Sequence, residues 1–372
     1  MKIHALLLTL LVLATPLSGC LESAQMHDKE CVIVNEPKTD SSTLRILTYD
    51  IAAFSKEMLD TFTNNTGYDV ELIRTDDAGG ILEQMLQTQG SQQADLAVGL
   101  DNTYLQTALD FCLLQPHKTL APTLDPAAIS PYSGPYALPF DQGVVCLNID
   151  ENGLDLAALT SPENLWELTN EEWNGKTVFP SPITSSPGRA FMIATIDYFE
   201  NDGNETTDAF DWWRGMAKNG ARFTSGWTEA YETHYSGGYG EWTEGHIGDA
   251  LLTVSYCHSP GVEAYYGENN THSTSITLEL STFHQVEYAA VTNGAGNTDA
   301  ANAFLEYLLS EEVNRNMPEN NLMLSVLENP SFPQTNGYQW HTDTPQMNSN
   351  ISMERIANNM DTWLEQWQTS TQ

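Results

Sequence analysis

The chain has 372 residues and carries 50 Asp and Glu against 14 Lys and Arg, a formal charge of −36 at pH 7. That balance disfavours nucleic acid and anionic surfaces and favours cationic partners or a salty medium, so any phosphate site has to come from local geometry. The length allows two lobes of ordinary domain size, each with a core of its own. A high-salt or marine archaeal surface protein would show the same acid excess.

Lys2, the apolar run Ala5 to Ala14 and the ending Leu17, Ser18, Gly19, Cys20 read as a lipoprotein export signal. The apolar stretch is too short to span a bilayer stably, and small residues precede the cysteine. Residues 1–19 are therefore expected to be removed and Cys20 to carry a lipid, which anchors the chain to the cytoplasmic membrane at the cell surface or in the periplasm. Residues 20–43, polar and mixed, read as a tether. Cys31, Cys112, Cys146 and Cys257 remain, enough for two disulfides in any of three pairings. They show no Cys-x-x-Cys spacing, so no zinc site is expected. Sequons stand at Asn64, Asn204, Asn269 and Asn350.

The fold proper is predicted to begin at Leu44. Leu44 to Tyr49 reads as a strand. Ala52 to Asn64 follows as an amphipathic helix, with Phe54, Met58, Leu59 and Phe62 at helical spacing. Asp69 to Arg74 is a second strand, Ile81 to Gln89 a second helix and Ala94 to Gly99 a third strand. Leu138 to Asn148 crosses into a second lobe. That lobe is predicted to hold strand Thr177 to Phe179, helices Gly188 to Phe199 and Phe210 to Lys218, and strand Leu251 to Tyr256. Gln285 to Thr292 returns to the first lobe, and helices Asp299 to Leu309 and Met353 to Trp367 complete it. Lobe one is thus expected to comprise residues 44–141 and 289–372, and lobe two 142–288. Alternating strands and helices predict an α/β fold on a mainly parallel sheet, with ligands outside the carboxyl ends of the strands.

Three strand ends carry polar groups: Thr48, Tyr49 and Asp50; Asp76 and Asp77; Asp101 and Asn102. Singly each reads as a turn or a helix cap. Together they propose an acidic wall suited to a cation. Thr184, Ser185, Ser186, Pro187 and Gly188 precede an apolar helix, where hydroxyls and free amides form either a cap or an anion site. The stretch lacks the glycines and lysine of a nucleotide loop. Gly226-Trp227 and the strand-end Tyr256 offer flat surfaces for an aromatic or cationic ring, or core packing.

From Leu44 to Trp367 the chain resembles the periplasmic thiamine-binding proteins of ABC transporters, within the class that also binds iron and spermidine. The resemblance rests on Thr48-Tyr49-Asp50, Ala94-Asp95 to Gly99-Leu100-Asp101-Asn102, Pro139-Phe140-Asp141, Thr184-Ser185 with Pro187-Gly188, Gly226-Trp227 with Glu229-Ala230-Tyr231, Ser255-Tyr256 with Ser259-Pro260, and Gln285-Val286-Glu287. It implies a two-lobed periplasmic-binding-protein type II fold with hinge crossovers, and a monomer that closes on thiamine or its phosphates. Delivery would be to a membrane permease driven by a cytoplasmic ATPase, with no cofactor and no catalysis. By position, Tyr49, Asp77, Ser185, Trp227 and Tyr256 fall on ligand-contacting places, and Ser186 joins them as a candidate from the helix start. Asp77 would face the cation, Ser185 and its helix start a phosphate or hydroxyl tail, and Trp227 and Tyr256 the rings. The sequence departs from the pattern at Val262, where an aromatic is expected, and at Leu322, where a tryptophan is expected. The tryptophan-glycine-proline stretch of bacterial members is also missing around Ala53 to Lys56.

Two alternatives follow from the same chain. The adjacent Tyr265 and Tyr266 suggest a ferric site, against a packing role on a helix after Pro260. Cys146 or Cys257 near the cleft would suggest a thiaminase-like nucleophile, although nothing local to Cys146 suggests an activating base, and a disulfide or buried thiol is the plainer expectation. Ser/His/Asp catalysis has no supporting motif.

Overall fold

The computed structural model describes residues 31–34, 42–50, 54–91, 93–238, 248–267, 271–333 and 349–372. The export signal, Cys20, Ala52, Ala53, the Asn269 sequon and most of the glycine-rich stretch after Ser236 lie outside these residues. Val32–Gln372 forms one compact unit.

The first half of the unit alternates as expected. Strand β1 (Thr43–Tyr49) leads to helix α1 (Lys56–Thr66), β2 (Asp69–Thr75), α2 (Ala78–Gln87), β3 (Leu96–Asp101), α3 (Leu105–Asp110) and the short α4 (Pro126–Ile129). Helix starts follow their caps: the Ser55 hydroxyl accepts from Met58 N at 3.2 Å and fixes α1 at Lys56. Asp77 does the same for α2, which starts three residues before the expected Ile81. The 13-residue β4 (Leu138–Asp150) then runs through the middle of the molecule. After it come α5 (Glu151–Ala157), β5 (Thr177–Pro180), α6 (Ser186–Asn201), α7 (Ala209–Lys218), β6 (Arg222–Thr224), a π-helical turn at Glu229–His234 and β7 (Leu252–Tyr256). The chain closes with α8 (Ser259–Tyr266), β8 (Ser273–Ile276), β9 (Phe283–Val291), α9 (Thr298–Leu308), α10 (Glu311–Asn314), α11 (Met317–Asn320), β10 (Leu324–Ser325) and α12 (Met353–Thr371).

All these strands share one sheet in the order β2-β1-β3-β9-β4-β7-β5-β6, with β8 and β10 added along β4. The expected mainly parallel sheet is corrected here. Only its two ends are parallel, β2-β1-β3 and β7-β5-β6, while every pairing of β4 and β9 is antiparallel. The cause is topological: β4 and β9 are the crossing and returning strands, and each runs against its neighbours to reach the other end of the sheet. The result is the two-lobed α/β architecture.

The central strands β3 and β4 are buried at every position, and successive side chains enter cores on opposite faces of the sheet, as a two-residue period requires. Leu44 and Ile46 of β1 pack with Phe62 of α1 and Phe304 of α9, while Leu47 and Tyr49 face Ile81 of α2 and Tyr288 of β9. At the other end, Phe179, Phe191, Trp212 and Trp213 form a connected ring cluster between β5, α6 and α7. Helix α12 joins that cluster through Ile356, Met360, Trp363 and Trp367, whereas Met353 at its start packs with the cluster around β1 and α2. Its apolar stripe thus lies largely on α7, with its first turn on the opposite core. Cys31 and Cys112 each sit in a disulfide. Cys146 and Cys257 are free buried thiols beside Val144, so two disulfides do not form from these four cysteines.

Candidate functional site: an acidic cleft with an aromatic wall

Tyr49, Asp77, Ser185, Ser186, Trp227 and Tyr256, spread over more than two hundred positions of chain, all line one cleft of about 1840 Å³. Among the described residues its wall carries eight acidic side chains and a single guanidinium, that of Arg189.

The floor is built by β9 and its two neighbours. Asp101 of β3 and Asp141 of β4 are both in direct register with Glu287 of β9. Side chains opposed in this way stand about 5 Å apart on the same face. Beyond Ala289 and Val291, which bury in the core around α1 and α9, the same face of β9 therefore turns acidic. A register shift accompanies each outer acid, at Val98/Leu100 and at Pro139/Asp141. Irregularities of this kind re-aim a strand's side chains. Gly99, at φ +109°, makes the first one possible, and a Cβ there would lie 2.4 Å from the ring of Tyr49.

Polar groups knit the floor. The Tyr49 hydroxyl donates to Glu287 Oε2 at 2.8 Å, and the Asn321 amide donates to the Tyr49 oxygen at 3.0 Å and to Asp141 Oδ2 at 2.6 Å. Gln285 Nε2 donates to Tyr256 Oη at 2.9 Å and approaches Glu287 Oε1 at 3.3 Å. Asp101 accepts from Thr103 N at 2.6 Å and from the Ser186 hydroxyl. Asp141 Oδ1 and Gln285 Oε1 have no partner among the described residues. Burial pushes Asp141 up to about 7, with the Asn321 hydrogen bond opposing. Burial and then the Asp141 charge hold Glu287 well above the usual carboxylate range, and burial likewise raises the phenols of Tyr49 and Tyr256.

One wall is formed by helix starts. Asp77 accepts from Gly80 N at 3.1 Å as the cap of α2 and lines the cleft at the same time. Burial raises its carboxyl above the usual range, against the lowering effect of Gly80 and Gly79 amides and the Arg189 charge. Arg189 sits over the Tyr104 ring, 4.0 Å from its centroid, and its Nε donates to Pro182 O at 3.2 Å. Ser185 caps α6, accepting from Gly188 N at 3.3 Å, and Ser186 spends its hydroxyl hydrogen on Asp101. The hydroxyls expected to hold an anion are thus engaged within the protein, beside a carboxylate.

The opposite wall is aromatic. Trp227 stacks on Tyr231 with centroids 4.8 Å apart and planes 16° from parallel, and its indole N–H donates to Ser255 Oγ at 3.0 Å. Tyr231 comes from the π-helical turn and donates to Glu263. Tyr256 stacks on His258 at 5.2 Å. Val262 and Leu322, the two departures from the aromatic pattern, line the cleft between them. Neither Tyr265 nor Tyr266 is a lining residue: Tyr265 packs on Val262 and Phe332, and Tyr266 is 54% exposed. Cys146 and Cys257 do not line the cleft either, and burial raises the Cys257 thiol. Among the described residues no group of three or more His, Cys, Asp or Glu side chains has the arrangement of a metal site.

Sequence reasoning placed all six candidates in the cleft but left out Glu287, Asp141, Asn321 and Tyr231. The signal for the first two was present, since both stand in motifs that carried the resemblance; only the strand register shows that they are neighbours.

A mixed sheet with a helix-covered core toward each end, and a polar cleft where the ends meet, defines the two-lobed class of ligand-capturing proteins. The model of the bacterial extracellular solute-binding proteins matches residues 57–326, and the chain belongs to that family. It is 23% identical over 307 residues to the thiamine-binding periplasmic protein of Escherichia coli strain K12, covering 82% of this chain and 85% of that protein. Among solved structures, a periplasmic thiamin binding protein superposes with a TM-score of 0.74 at 22% identity, over 92% of this chain and all of the other. Iron-bound HitA from Pseudomonas aeruginosa superposes with a TM-score of 0.65 at 16% identity, over 89% of this chain and 99% of the other.

Proposed function

We propose that this protein is the capture component of an ABC importer and that its ligand is thiamine or a closely related cationic heterocycle. The observation that carries the reading is the pairing of an acidic floor with an aromatic wall in one cleft. An organic cation with flat rings satisfies both, through charge at Glu287, Asp141 and Asp77 and through stacking at Trp227 and Tyr256. The thiamine-binding relatives support the same choice. A cleft of about 1840 Å³ is larger than the usual small-ligand site, so closure of the two lobes around the ligand is part of the proposal. The permease would then recognise the closed form, a population shift driven by the ligand's preference for it. The lobes are taken as residues 44–141 with 289–372, and 142–288, with α12 resting on both. Anchoring through lipid on Cys20, work as a monomer, and absence of catalysis belong to the same proposal.

Unphosphorylated ligand is favoured over thiamine diphosphate, because among the described residues the cleft offers a single guanidinium, which lies over Tyr104 with its Nε on Pro182 O, and the Ser186 hydroxyl hydrogen is spent on Asp101. Calorimetric titration tests this. Thiamine is expected to bind with a Kd at or below about 1 μM, roughly −8 kcal/mol, more tightly than the diphosphate. Trp227→Ala is expected to weaken it by about tenfold through loss of the stacking surface. No heat from either compound in a folded sample removes thiamine as the ligand. An iron reading has less support, since Tyr265 and Tyr266 lie outside the cleft; a coloured, iron-loaded preparation would restore it.

A further inference from the structure

The register of three adjacent strands sets Asp101, Glu287 and Asp141 in a row on one face. Like charges directly opposed across strands repel, and burying three ionised carboxyls is far costlier than burying one. Their support is unequal. Asp101 receives the Ser186 hydroxyl and the Thr103 amide, with the Arg189 charge acting on it as well. Asp141 receives only the Asn321 amide, and its second oxygen is unpartnered. Glu287 receives the Tyr49 hydroxyl and a long contact from Gln285.

The groups facing Glu287 supply no cation. From β1 comes the phenol of Tyr49, from β3 and β4 the two acids, and from β7 the phenol of Tyr256. His258, next to Tyr256, has its Nε2 against Leu322 O at 2.8 Å, and Arg189 is turned to Tyr104. Glu287 nevertheless lines the cleft and is 6% exposed, so a ligand can reach it. A buried acid row that opens on a ligand site, with a fully buried carboxylate oxygen left unpaired behind it, lacks one positive charge. Two carboxyls in this position share a proton when no other cation is present.

We infer that Glu287, backed by Asp141, is the carboxylate that receives the ligand's cationic group, and that it takes that cation in exchange for a proton. The inference rests on the proposed reading of the cleft as a site for an organic cation. In the empty protein one proton is shared by the Glu287–Asp141 pair, which leaves the pair with a single negative charge. When the cation enters, the proton leaves to solvent and the carboxylate it leaves behind pairs with the ligand. One positive charge replaces another, so the floor keeps the same net charge in both states. Burial raises Asp101 too, but the Ser186 and Thr103 hydrogen bonds and the Arg189 charge oppose it, so the exchange is assigned to the less supported pair. Glu287 thereby selects for charge: a neutral ligand of the same shape gains nothing from displacing the proton.

The test is calorimetric titration of the full-length protein with thiamine at pH 7 in two buffers of widely different ionisation enthalpy. The inference expects the apparent heat to differ between buffers by a release of up to about one proton per ligand bound, and expects that release to shrink as the pH is raised and the empty pair loses its proton. Glu287→Gln should abolish the release and weaken thiamine by roughly tenfold or more, as loss of a charge-assisted contact implies. Asp141→Asn, isosteric and retaining a hydrogen-bonding amide, should reduce the release while leaving thiamine bound. Tight thiamine binding with the same heat in both buffers overturns the inference and leaves the thiamine reading intact. Glu287→Gln at wild-type affinity does the same. A folded protein that shows no thiamine binding overturns both.

Discussion

The phenol of Tyr49 and the carboxylate of Glu287, 238 positions apart in the chain, are joined by a 2.8 Å hydrogen bond on the cleft floor. The bond ties the first strand of the sheet to the returning strand. It also leaves a buried acceptor if the hydroxyl is deleted. Tyr49→Phe is therefore expected to lower the stability of the empty protein by about 1–3 kcal/mol, the usual cost of stranding a buried polar partner. Urea unfolding at pH 8 is the measurement. A wild-type midpoint would mean that the bond is not formed in solution.

A second prediction concerns the glycine that makes room for that phenol. Gly99→Ala places a methyl group 2.4 Å from Tyr49 ring carbons and forces an L side chain to φ +109°. Gly90→Ala is the control, since it also sits at positive φ, +79°, but meets nothing within 4 Å. The control should cost about 1–2 kcal/mol from backbone strain alone. Gly99→Ala should cost a further 1–3 kcal/mol from overpacking, and should weaken ligand binding, which the control should not. Equal losses in the two variants would show that the Tyr49 contact is absent.

The carboxyl pair also sets a pH dependence. An acid whose pKa is raised on folding binds more protons folded than unfolded, so stability falls as pH rises through the raised value. With Asp141 held at about 7 against an ordinary value of about 4, the empty protein should lose stability from about pH 4 up to about pH 7, by at most about 1.4 kcal/mol per pH unit, and little more above that. Asp141→Asn should flatten that part of the curve. Glu263 is also raised to about 7, by burial, so it contributes a parallel loss that persists in the variant. The difference between the two thermal unfolding profiles isolates the pair. A difference that does not change with pH would mean that Asp141 keeps an ordinary pKa.

How much of this was legible in the sequence depends on the range of each interaction. Helical spacing and caps are local, so α1, α2, α6, α7, α9 and α12 are visible in the residues themselves, with Ser55 and Asp77 marking starts that periodicity alone misplaced. Turns and helix starts marked the segments that hold the six candidate residues, the family resemblance singled out five of them, and all six line the cleft. Sheet direction is not local: nothing within Leu138–Asp150 or Phe283–Val291 says that these strands run against their neighbours, and the mainly parallel expectation failed there. The acid row was invisible for the same reason. Asp101, Asp141 and Glu287 each stand in a short motif, but their adjacency is a property of register, set by two irregularities and one glycine.

Asp77 offers the sharpest separation of a structural from a ligand-directed role. Its side chain caps α2 through Gly80 N and also faces the cleft, so loss of the residue confounds the two. Asn caps a helix about as well as Asp. Asp77→Asn should therefore unfold at the wild-type midpoint while weakening a cationic ligand by several-fold, as removal of one partly screened charge implies. Asp77→Ala should lose the same affinity and in addition about 1 kcal/mol of stability. Titration with thiamine, run beside denaturant unfolding of both variants, distinguishes the outcomes. If Asp77→Asn binds like the wild type, the residue is only a cap, and recognition of the cation falls to the acid row on the floor. That result would concentrate the charge requirement on Glu287, whose isosteric amide would then abolish most of the discrimination on its own.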